Sequence, residues 1–516
     1  MAVSITTVQR VSIAAIAAAA VLPAVCTTAC LAAELEVIFS EAPGHETAVV
    51  PGAKDLDGEP IFTEFKALEI LSVSPDGSQW ILKGRNWLGD QLETMLLLGS
   101  GTEGEVFAQE GQPVHDGEPG EVYEFFCSGP PHFNDLNQFV YTARAREGDP
   151  DIKQKGIFFD GEAFHMTRRE SDPAYGLEDY PGYPVGDELF GNSFGSFHLL
   201  NDGTIGCQDD TIKNIHSSYR PAIFYDDQAF RQTSVSEIEG SIWDDIDSND
   251  FWTTPDGSTW IAQGEDMSPD NQDEILVVND TVVLREGTPV VPGSEIIIAA
   301  ISHSKLAGDG SWFTRGDDPG DNDWAVRNGT LLAATGDPII IGSEEHWGDK
   351  FLSFTGNRMG DWVLTGNTDI GDDAIDEVLV VNGEIIVARE GDPIDLDGNG
   401  EFDDDAFIGR GNLTSSAFHA DDIFLGDDLT LFFFASLRNA AGEDLGSFGS
   451  GGDAFIRVLL APECPADITG DGVVDVLDLL EVLSQWGTSG DADITGDGIV
   501  DVLDLLEVLA AWGPCE

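Results

Sequence analysis

Basic residues are scarce in this chain. Of its 516 residues, 24 are Lys or Arg and 95 are Asp or Glu, so the formal net charge is −71. A field of that sign repels nucleic acids and anionic membrane surfaces, and both are therefore excluded as partners. The hydrophobic content of 41% is enough for a folded core, so the acidity does not indicate a disordered chain. A saline habitat and a set of calcium sites both account for the surplus of carboxylates.

Long hydrophobic runs are also lacking. No apolar run after residue 33 approaches the roughly 18 residues that a membrane-spanning helix needs, so we expect no transmembrane span in the mature chain. Residues 1–33 combine Arg10, an apolar run at 11–25 and small residues around 29–33, which predicts a cleaved signal peptide. Lipidation at Cys30 is the alternative. The protein is expected to be secreted or held at the cell surface.

The motifs of common enzyme sites are absent as well. The nine His residues show no zinc-binding spacing, no G-x-S-x-G elbow surrounds a Ser, and no phosphate-binding glycine loop is present. Asp and Glu are so abundant that a pair of carboxylates carries no information about glycoside hydrolysis. His132 and His198, near the expected ends of repeats, are interpreted as structural histidines. The catalytic residues, if there are any, stay unknown.

Helical periodicity is nearly absent between residues 34 and 460, where short strands and turns recur instead. A turn followed by an aromatic strand is repeated most clearly at 75–80 and 255–260, and more loosely at 308–312, 359–362, 136–139, 201–205 and 426–429. A Glu-Gly-x-Pro type of turn ends segments 106–113, 282–289, 331–338 and 385–393. The pairs Asn279-Asp280 and Asn382-Gly383 suit two-residue hairpin turns.

These recurrences give seven repeats of about four strands each, a pattern typical of a β-propeller. The segment 35–40 matches the strand that the last repeat lacks, so we expect the mature N-terminus to complete the seventh blade. Trp80, Trp260, Trp312 and Trp362 share one repeat position, which favours blade core over a sugar-stacking platform. A pair of β-sandwiches or a β-solenoid is the alternative fold. The Asn-x-x-Gly turns before aromatic strands loosely resemble exported bacterial NxxGxxAF tandem-repeat proteins, a family that implies no activity.

The last segment of the chain differs in kind, because a stretch beginning at Asp467 is repeated almost unchanged from Asp493. Oxygen-bearing side chains fall at loop positions 1, 3, 5, 9 and 12, and position 7 offers a backbone carbonyl, as in twelve-residue calcium loops. Gly472 and Gly498 occupy position 6, where such a loop turns sharply. An acidic turn that binds no ion is the alternative. The predicted Ca²⁺ ligands are Asp467, Thr469, Asp471, Val473, Asp475 and Asp478, and then Asp493, Thr495, Asp497, Ile499, Asp501 and Asp504.

Each loop is followed by apolar residues at helical spacing, and the chain leaves no room for helices that enter the loops. Paired calcium loops with only the exiting helix resemble the type I dockerin module, over residues 464–516. That resemblance implies folding on calcium and docking onto a cohesin domain of a surface or scaffold protein. The family's recognition pairs fall on Val476-Leu477 and Val502-Leu503, which we expect to stay available while the remaining apolar faces of the two helices pair. Thr at position 3 and apolar recognition pairs depart from the usual pattern of the family.

The six cysteines fit an oxidising compartment. Cys464 and Cys515 bracket the calcium segment, and we expect a disulfide between them. Cys127 and Cys207 either pair or stay as buried thiols.

A further calcium candidate lies on a repeat loop. Asp395, Asp397, Asn399 and Asp403 fall at positions 1, 3, 5 and 9, with Gly400 at position 6, although position 12 is Ala406. Asp404 or Asp405 would then supply the missing carboxylate. A solvated acidic turn is the alternative.

The sequence therefore predicts a signal peptide at 1–33, a seven-bladed β-propeller-like domain at 34–460 and a small α-helical, dockerin-like calcium module at 461–516. The function we expect is an exported calcium-binding protein. Its propeller would bind a surface partner or a glycan, and its terminal module would attach it to a cohesin-like or other surface protein. The alternatives are a polysaccharide-active hydrolase or lyase that carries a dockerin, and a structural surface or matrix protein.

Overall fold

The computed structural model describes most of the chain. The described residues are 35–89, 91–126, 129–146, 153–178, 188–191, 194–209, 212–213, 221–411, 416–446, 454–460, 466–469, 473–488, 490, 492, 494–495 and 499–514. The predicted signal peptide lies outside them, as do Cys127, Cys464 and Cys515 and with them the expected disulfide. Cys207 is a free, buried thiol, and burial raises its pKa to about 11.

Seven antiparallel sheets of four or five strands follow one another along the described chain, and we number them as blades 1 to 7. Blade 1 contains Phe65–Val73, Trp80–Asn86, Thr94–Ser100 and Glu103–Gln109. Blade 2 contains Val122–Phe126, His132–Phe133, Phe139–Arg146, Gln154–Phe159 and Phe164–Arg169. Blade 3 contains Phe194–Leu199, Ile205–Asp209, Ala222–Tyr225 and Gln228–Gln232. Blade 4 contains Glu237–Ile238, Ser241–Thr253, Trp260–Asp266, Glu274–Val278 and Thr281–Arg285.

The remaining blades follow the same plan. Blade 5 contains Ala300–Leu306, Trp312–Asp317, Asp323–Arg327 and Thr330–Ala334. Blade 6 contains Trp347–Gly356, Trp362–Thr368, Glu377–Val381 and Ile385–Arg389. Blade 7 contains Phe418–Leu425, Thr430–Ala435, Ala454–Leu459 and, from the start of the chain, Glu36–Ser40. The prediction of a mainly β, seven-bladed propeller is confirmed.

Several short elements lie outside the blades. They include the 3₁₀ helix Glu46–Ala48 and two α-helices, α1 at Val476–Ser484 and α2 at Val502–Ala510. Three pairs of two-residue strands complete the set: Leu189–Phe190 pairs with Ile212–Lys213, Phe407–Ile408 pairs with Leu437–Arg438, and Val473–Val474 pairs with Gly513–Pro514. Neither helix is long and apolar enough to span a membrane, and the described residues contain no other candidate.

The N-terminal strand closes the ring, as the sequence predicted. Glu36–Ser40 pairs antiparallel with Ala454–Leu459, so the two ends of the propeller complete one blade. The Phe39 ring lies 5.8 Å from the Trp80 ring of blade 1, and the Phe455 ring lies 5.1 Å from the same indole. Trp80 is fully buried between them, so the closing strand also joins the core between blades 7 and 1.

The repeated turns occupy equivalent places in the blades. The turn before each aromatic strand joins the first long strand of a blade to the second. In five blades an Asp oxygen fixes this turn by accepting a backbone N–H two residues later, and the side-chain oxygens of Asn134 and Asn357 do so in blades 2 and 6. Asp76 accepts from Ser78 at 3.0 Å, and Asp256 accepts from Ser258 at 2.9 Å. Asp202, Asp309 and Asp428 do the same. The Glu-Gly-x-Pro turns follow outermost strands and lead to the next blade.

Carboxylates also connect neighbouring blades. In blades 4, 5 and 6, the strand that follows the aromatic strand begins with Glu274, Asp323 and Glu377, respectively, and each side chain accepts a backbone N–H from the next blade. The donors are Ile301 at 3.0 Å, Phe351 at 2.5 Å and Ala417 at 2.6 Å. Burial raises the pKa of Glu274 to about 7 and that of Asp323 to about 6, and it raises the pKa of Glu377 as well.

We predict that Glu274→Gln stabilises the propeller above neutral pH. The folded chain keeps the Glu274 proton up to about pH 7, whereas the unfolded chain loses it near pH 4.5, so stability falls as the pH rises through that window. The amide retains an acceptor for Ile301 and removes the buried charge. The gain in unfolding free energy above pH 7 is at most about 3 kcal/mol, and less where water screens the site.

Thermal unfolding in calcium buffer at about pH 5 and about pH 8 measures this effect. The variant is expected to exceed the natural chain at the higher pH and to match it at the lower one. Glu384→Gln, at an exposed hairpin position, is the matched control. A difference of equal size at both pH values would contradict the assignment to titration of Glu274.

Candidate functional site

In the first terminal loop, the carboxylate at position 12 holds the two ends of the loop together. Asp478 is fully buried, and its Oδ1 accepts from the backbone N–H of Thr469 at 2.9 Å and from the Thr469 hydroxyl at 3.0 Å. Its Oδ2 accepts from the backbone N–H of Asp475 at 2.8 Å. Asp475 in turn caps α1 by accepting from Leu477 at 2.7 Å, so loop and helix form one hydrogen-bonded unit.

The second loop repeats this arrangement bond for bond. Asp504 is fully buried and accepts from the Thr495 N–H and hydroxyl, both at 3.0 Å, and from the Asp501 N–H at 2.7 Å. Asp501 caps α2 through Leu503 at 2.7 Å. Burial acts to raise the pKa of Asp478 and of Asp504, but the hydrogen-bond donors outweigh it and both pKa values are lowered. Both carboxylates are therefore ionised at neutral pH.

The structure describes some of the other predicted ligands of the terminal loops but not all of them. Asp467 lies beside Thr469, whose hydroxyl is 3.4 Å from its Oδ1, and Val473 and Ile499 are exposed at position 7 of their loops. Asp471, Asp493 and Asp497 lie outside the described residues. The members that are described are carboxylates, a hydroxyl and backbone carbonyls, the hard oxygen donors that suit Ca²⁺.

The two halves of the module share one small core. Its six buried residues form three pairs, each separated by the same 26 residues as the two loops: Ala466 with Ala492, Val474 with Val500, and Val482 with Val508. Val473–Val474 pairs with Gly513–Pro514, while Val500 exchanges hydrogen bonds with Gly487 at 2.8 Å and Thr488 at 2.7 Å. The repeated sequence therefore folds into a repeated structure.

The helices bury much less apolar surface than their periodicity suggests. Only Val482 on α1 and Val508 on α2 are buried apolar side chains, and Leu479 and Leu505 are partly buried. Val476, Leu477, Leu480, Leu483 and Trp486, together with Val502, Leu503, Leu506, Leu509 and Trp512, are 47–54% exposed. The expectation that only the two recognition pairs stay available was too narrow. We call these ten residues the apolar face.

The segment that contains the apolar face is acidic. Residues 461–516 contain no Lys, Arg or His, and Glu481 and Glu507 are exposed on the same helices. A complementary surface would therefore combine an apolar centre with basic residues at its edge.

The second candidate loop gathers a slightly different set of acids from the one expected. Ligand oxygens of Asp395, Asp397 and Asp404 lie within 4.8 Å of one another, while Asp403 is exposed and outside this group. Asp395 accepts from Gly398 at 2.8 Å and from Gly400 at 2.7 Å, and the Asn399 side-chain oxygen accepts from Glu401 at 2.7 Å. Burial acts to raise the pKa of Asp395, but these N–H donors leave it lowered.

His132 and His198 meet at the propeller axis rather than in a blade core. Their rings lie 4.4 Å apart, and residues from all seven blades line a cavity beside them. Burial lowers the pKa of His132 to about 4 and that of His198 well below its usual value, so both are neutral at pH 7. The buried ring of His198 is bonded to the Phe251 carbonyl through Nε2, whereas its Nδ1 has no hydrogen-bond partner among the described residues, so the interpretation as a satisfied structural histidine holds for one ring nitrogen only. The axial residues were missed because they differ in identity from blade to blade.

No protein-family model and no curated protein sequence matches the chain. Among solved structures, it is similar to the WD40 β-propeller domain of Doa1, with a TM-score of 0.36 and 12% identity over 83% of this chain and 98% of that one. It is also similar to an oligogalacturonate lyase from Vibrio parahaemolyticus, with a TM-score of 0.33 and 11% identity over 65% and 94% of the two chains. A third similar structure is that of YCF48 bound to D1 peptide, with a TM-score of 0.34 and 10% identity over 83% of this chain and 95% of that one. Similarities of this size carry no information about activity or ligand.

We predict that Asp478→Ala combined with Asp504→Ala abolishes calcium binding by the terminal loops and unfolds the module, while the propeller stays folded. Each substitution removes the oxygen pair that closes a loop and leaves backbone N–H groups unpaired, at a cost of about 1–3 kcal/mol per group. Calorimetric titration with Ca²⁺ and limited proteolysis in calcium measure the two effects.

The control is Glu481→Ala combined with Glu507→Ala, which removes exposed carboxylates from the same two helices. It is expected to bind Ca²⁺ and resist protease as the natural chain does. Calcium binding and protease resistance that survive in the Asp478 and Asp504 double variant would refute the assigned role of these carboxylates.

Proposed function

We propose that this protein is an exported calcium-binding protein whose terminal module docks it onto a cell-surface or extracellular protein, with the propeller as its binding domain. The observation that carries the proposal is the duplicated geometry of Asp478 and Asp504, each of which links a loop of hard oxygens to the start of a helix. Ca²⁺ bound in each loop would offset the repulsion between the converging carboxylates.

Calcium and docking are connected through the helices. Asp475 and Asp501 are predicted ligands and also cap α1 and α2, so an ion that orders the loops also fixes the two helix starts. Helices of nine residues are too short to be stable alone in water, so their order depends on the loops and on the small shared core. The residues of the apolar face are then held in place on both helices only when both loops are closed.

The partner that fits this surface is a protein with an apolar centre and a basic edge, as a cohesin-like domain of a surface assembly would be. A second copy of this chain is disfavoured, because its own module contains no basic residue and its charge of −71 opposes self-association. The cluster of Asp395, Asp397 and Asp404 is proposed as an additional calcium site on the propeller.

Capture of partners by the immobilised full chain tests the proposal. The source organism's envelope and secreted proteins are applied first in calcium and then in chelator, and a captured protein is purified for calorimetry. Leu480→Asn combined with Leu506→Asn is expected to weaken its binding about tenfold or more, because both side chains lie near the middle of the apolar face.

Leu56→Asn, at an equally exposed position in the propeller, is the matched control and should leave binding unchanged. Binding that persists in chelator, or that survives the double variant, would contradict docking through the apolar face.

A further inference from the structure

The propeller encloses a cavity on its axis that neither the calcium loops nor the apolar face explains. Residues from all seven blades line it, and its volume is about 120 Å³, which gives room for a few water molecules or one compact solute. The lining residues lie at the ends of the innermost strands and in the turns that follow them, as at 72–75 in blade 1, 305–308 in blade 5 and 355–358 in blade 6. We call this space the axial cavity, and the side of the ring on which these turns lie the turn end.

Hydrogen bonds between the turns of neighbouring blades hold the turn end together. Between blades 2 and 3, the Asp135 N–H donates to the Asn201 side chain at 3.1 Å, and the Asn201 amide donates back to the Asp135 carboxylate at 2.9 Å. Between blades 7 and 1, the Asp427 N–H donates to the Pro75 carbonyl at 3.0 Å. Because each of these bonds joins adjacent blades, they follow the rim of the axial cavity and do not cross it.

The side chain of Arg358 does cross the axis. Arg358 lies in the turn of blade 6 and lines the axial cavity, and its Nη1 donates to Asp135, in the turn of blade 2, at 3.0 Å. Blades 6 and 2 are three places apart in the ring (6 to 7, 7 to 1, 1 to 2), and no two blades of seven can lie farther apart. A Cβ placed on Gly308, in the turn of blade 5, would lie 3.9 Å from the same Arg358 side chain. The guanidinium therefore lies over the mouth of the cavity.

The two ends of this bridge are held differently. Next to its own turn, Arg358 binds Asp427 twice, because its backbone N–H donates to Oδ1 at 3.2 Å and its Nε donates to Oδ2. At the far end, the bond is that of Nη1 with Asp135. The Asp427 side chain is 16% exposed and the Asp135 side chain 29%, so water and ions screen the far bond more strongly. The bridge is thus attached firmly at Asp427 and can be released at Asp135.

We propose that Arg358 is a strap over the turn end of the axial cavity, which closes the cavity while it is bound to Asp135 and opens it when that bond breaks. Release requires only that one side chain swings about its attachment to Asp427. The hydrogen bonds between neighbouring turns keep the ring intact meanwhile. The strap belongs to the propeller alone and acts independently of calcium in the terminal loops.

A Ser72→Cys substitution provides a reporter for access to the axial cavity. Ser72 lines the cavity and is 5% exposed, and the exchange of its hydroxyl for a thiol is nearly isosteric. The full chain is treated with methyl methanethiosulfonate in calcium at fixed ionic strength, and mass spectrometry of the peptide that contains position 72 measures the rate of labelling. Adding Arg358→Ala is expected to raise this rate about tenfold or more, because it removes the charge-assisted hydrogen bonds that keep the strap closed.

Arg327→Ala is the matched control. The Arg327 Nη1 also donates to the turn of blade 6, at the Gly360 carbonyl and 2.7 Å, but Arg327 belongs to the third strand of blade 5 and joins adjacent blades only. Its loss should leave the rate of labelling at position 72 unchanged. Cys207 is an internal reference, because its thiol is buried in blade 3 and becomes reactive only if the blade unfolds.

Asp135→Asn tests the far end of the strap by itself. The amide keeps an acceptor oxygen but loses the charge, so we expect a rate of labelling between those of Ser72→Cys alone and of Ser72→Cys with Arg358→Ala. If Arg358→Ala fails to fold, as judged by circular dichroism, Asp135→Asn replaces it. The proposal is overturned if neither folded variant is labelled faster than Ser72→Cys alone, if Arg327→Ala has the same effect, or if Cys207 is labelled in step with position 72.

Discussion

Carboxylate oxygens that accept backbone N–H groups are the interaction on which this structure depends. They fix the turn after the first long strand in several blades, as at Asp76 and Asp256. They join blades 4 to 7 through Glu274, Asp323 and Glu377. Within the ring, turns and bulges supply enough N–H donors to stabilise these acids, so a very acidic chain forms a propeller without a matching number of Lys and Arg residues. The closing strand then joins the two ends of the ring.

In the terminal loops, carboxylates also accept backbone N–H groups, but here more acidic residues fall within a shorter stretch of chain than in the blades. Asp478 and Asp504 each accept two backbone N–H groups and a hydroxyl, and the sequence places further acidic residues at other positions of both loops. A small core of six residues and two short helices offer little apolar burial to offset that repulsion. In the proposed function, an external cation supplies the partner that the loops lack, and the proposed role of Ca²⁺ follows from this imbalance. The apolar face is exposed on the helices that the loops cap, and in the proposed function this position would couple the ion to docking.

The sequence predicted the ring because its signals repeat. The Asp-Gly turns and the Glu-Gly-x-Pro type of turn each recur in several blades, and segment 35–40 matched the missing strand of the seventh. It predicted the loop carboxylates because the spacing of calcium ligands is fixed along the chain. It did not predict the exposure of Leu480 or Leu506, because helical periodicity does not distinguish a packed face from an unpacked one. It also missed the grouping of His132, Lys305 and Arg358, which come from blades far apart in sequence. It named Asp404 and Asp405 as substitutes for position 12 but did not choose between them, because that choice depends on how the loop bends.

Hydrogen exchange of the full chain, measured by mass spectrometry in calcium and then in chelator, tests the central claim most directly. The account predicts that peptides within residues 466–514 lose protection when calcium is removed, whereas the strands of blades 1 to 5 keep theirs. Equal protection of the terminal module in both conditions would contradict the dependence of its order on calcium. Loss of protection throughout the ring would contradict the claim that backbone N–H donors stabilise the carboxylates of the propeller in the absence of calcium.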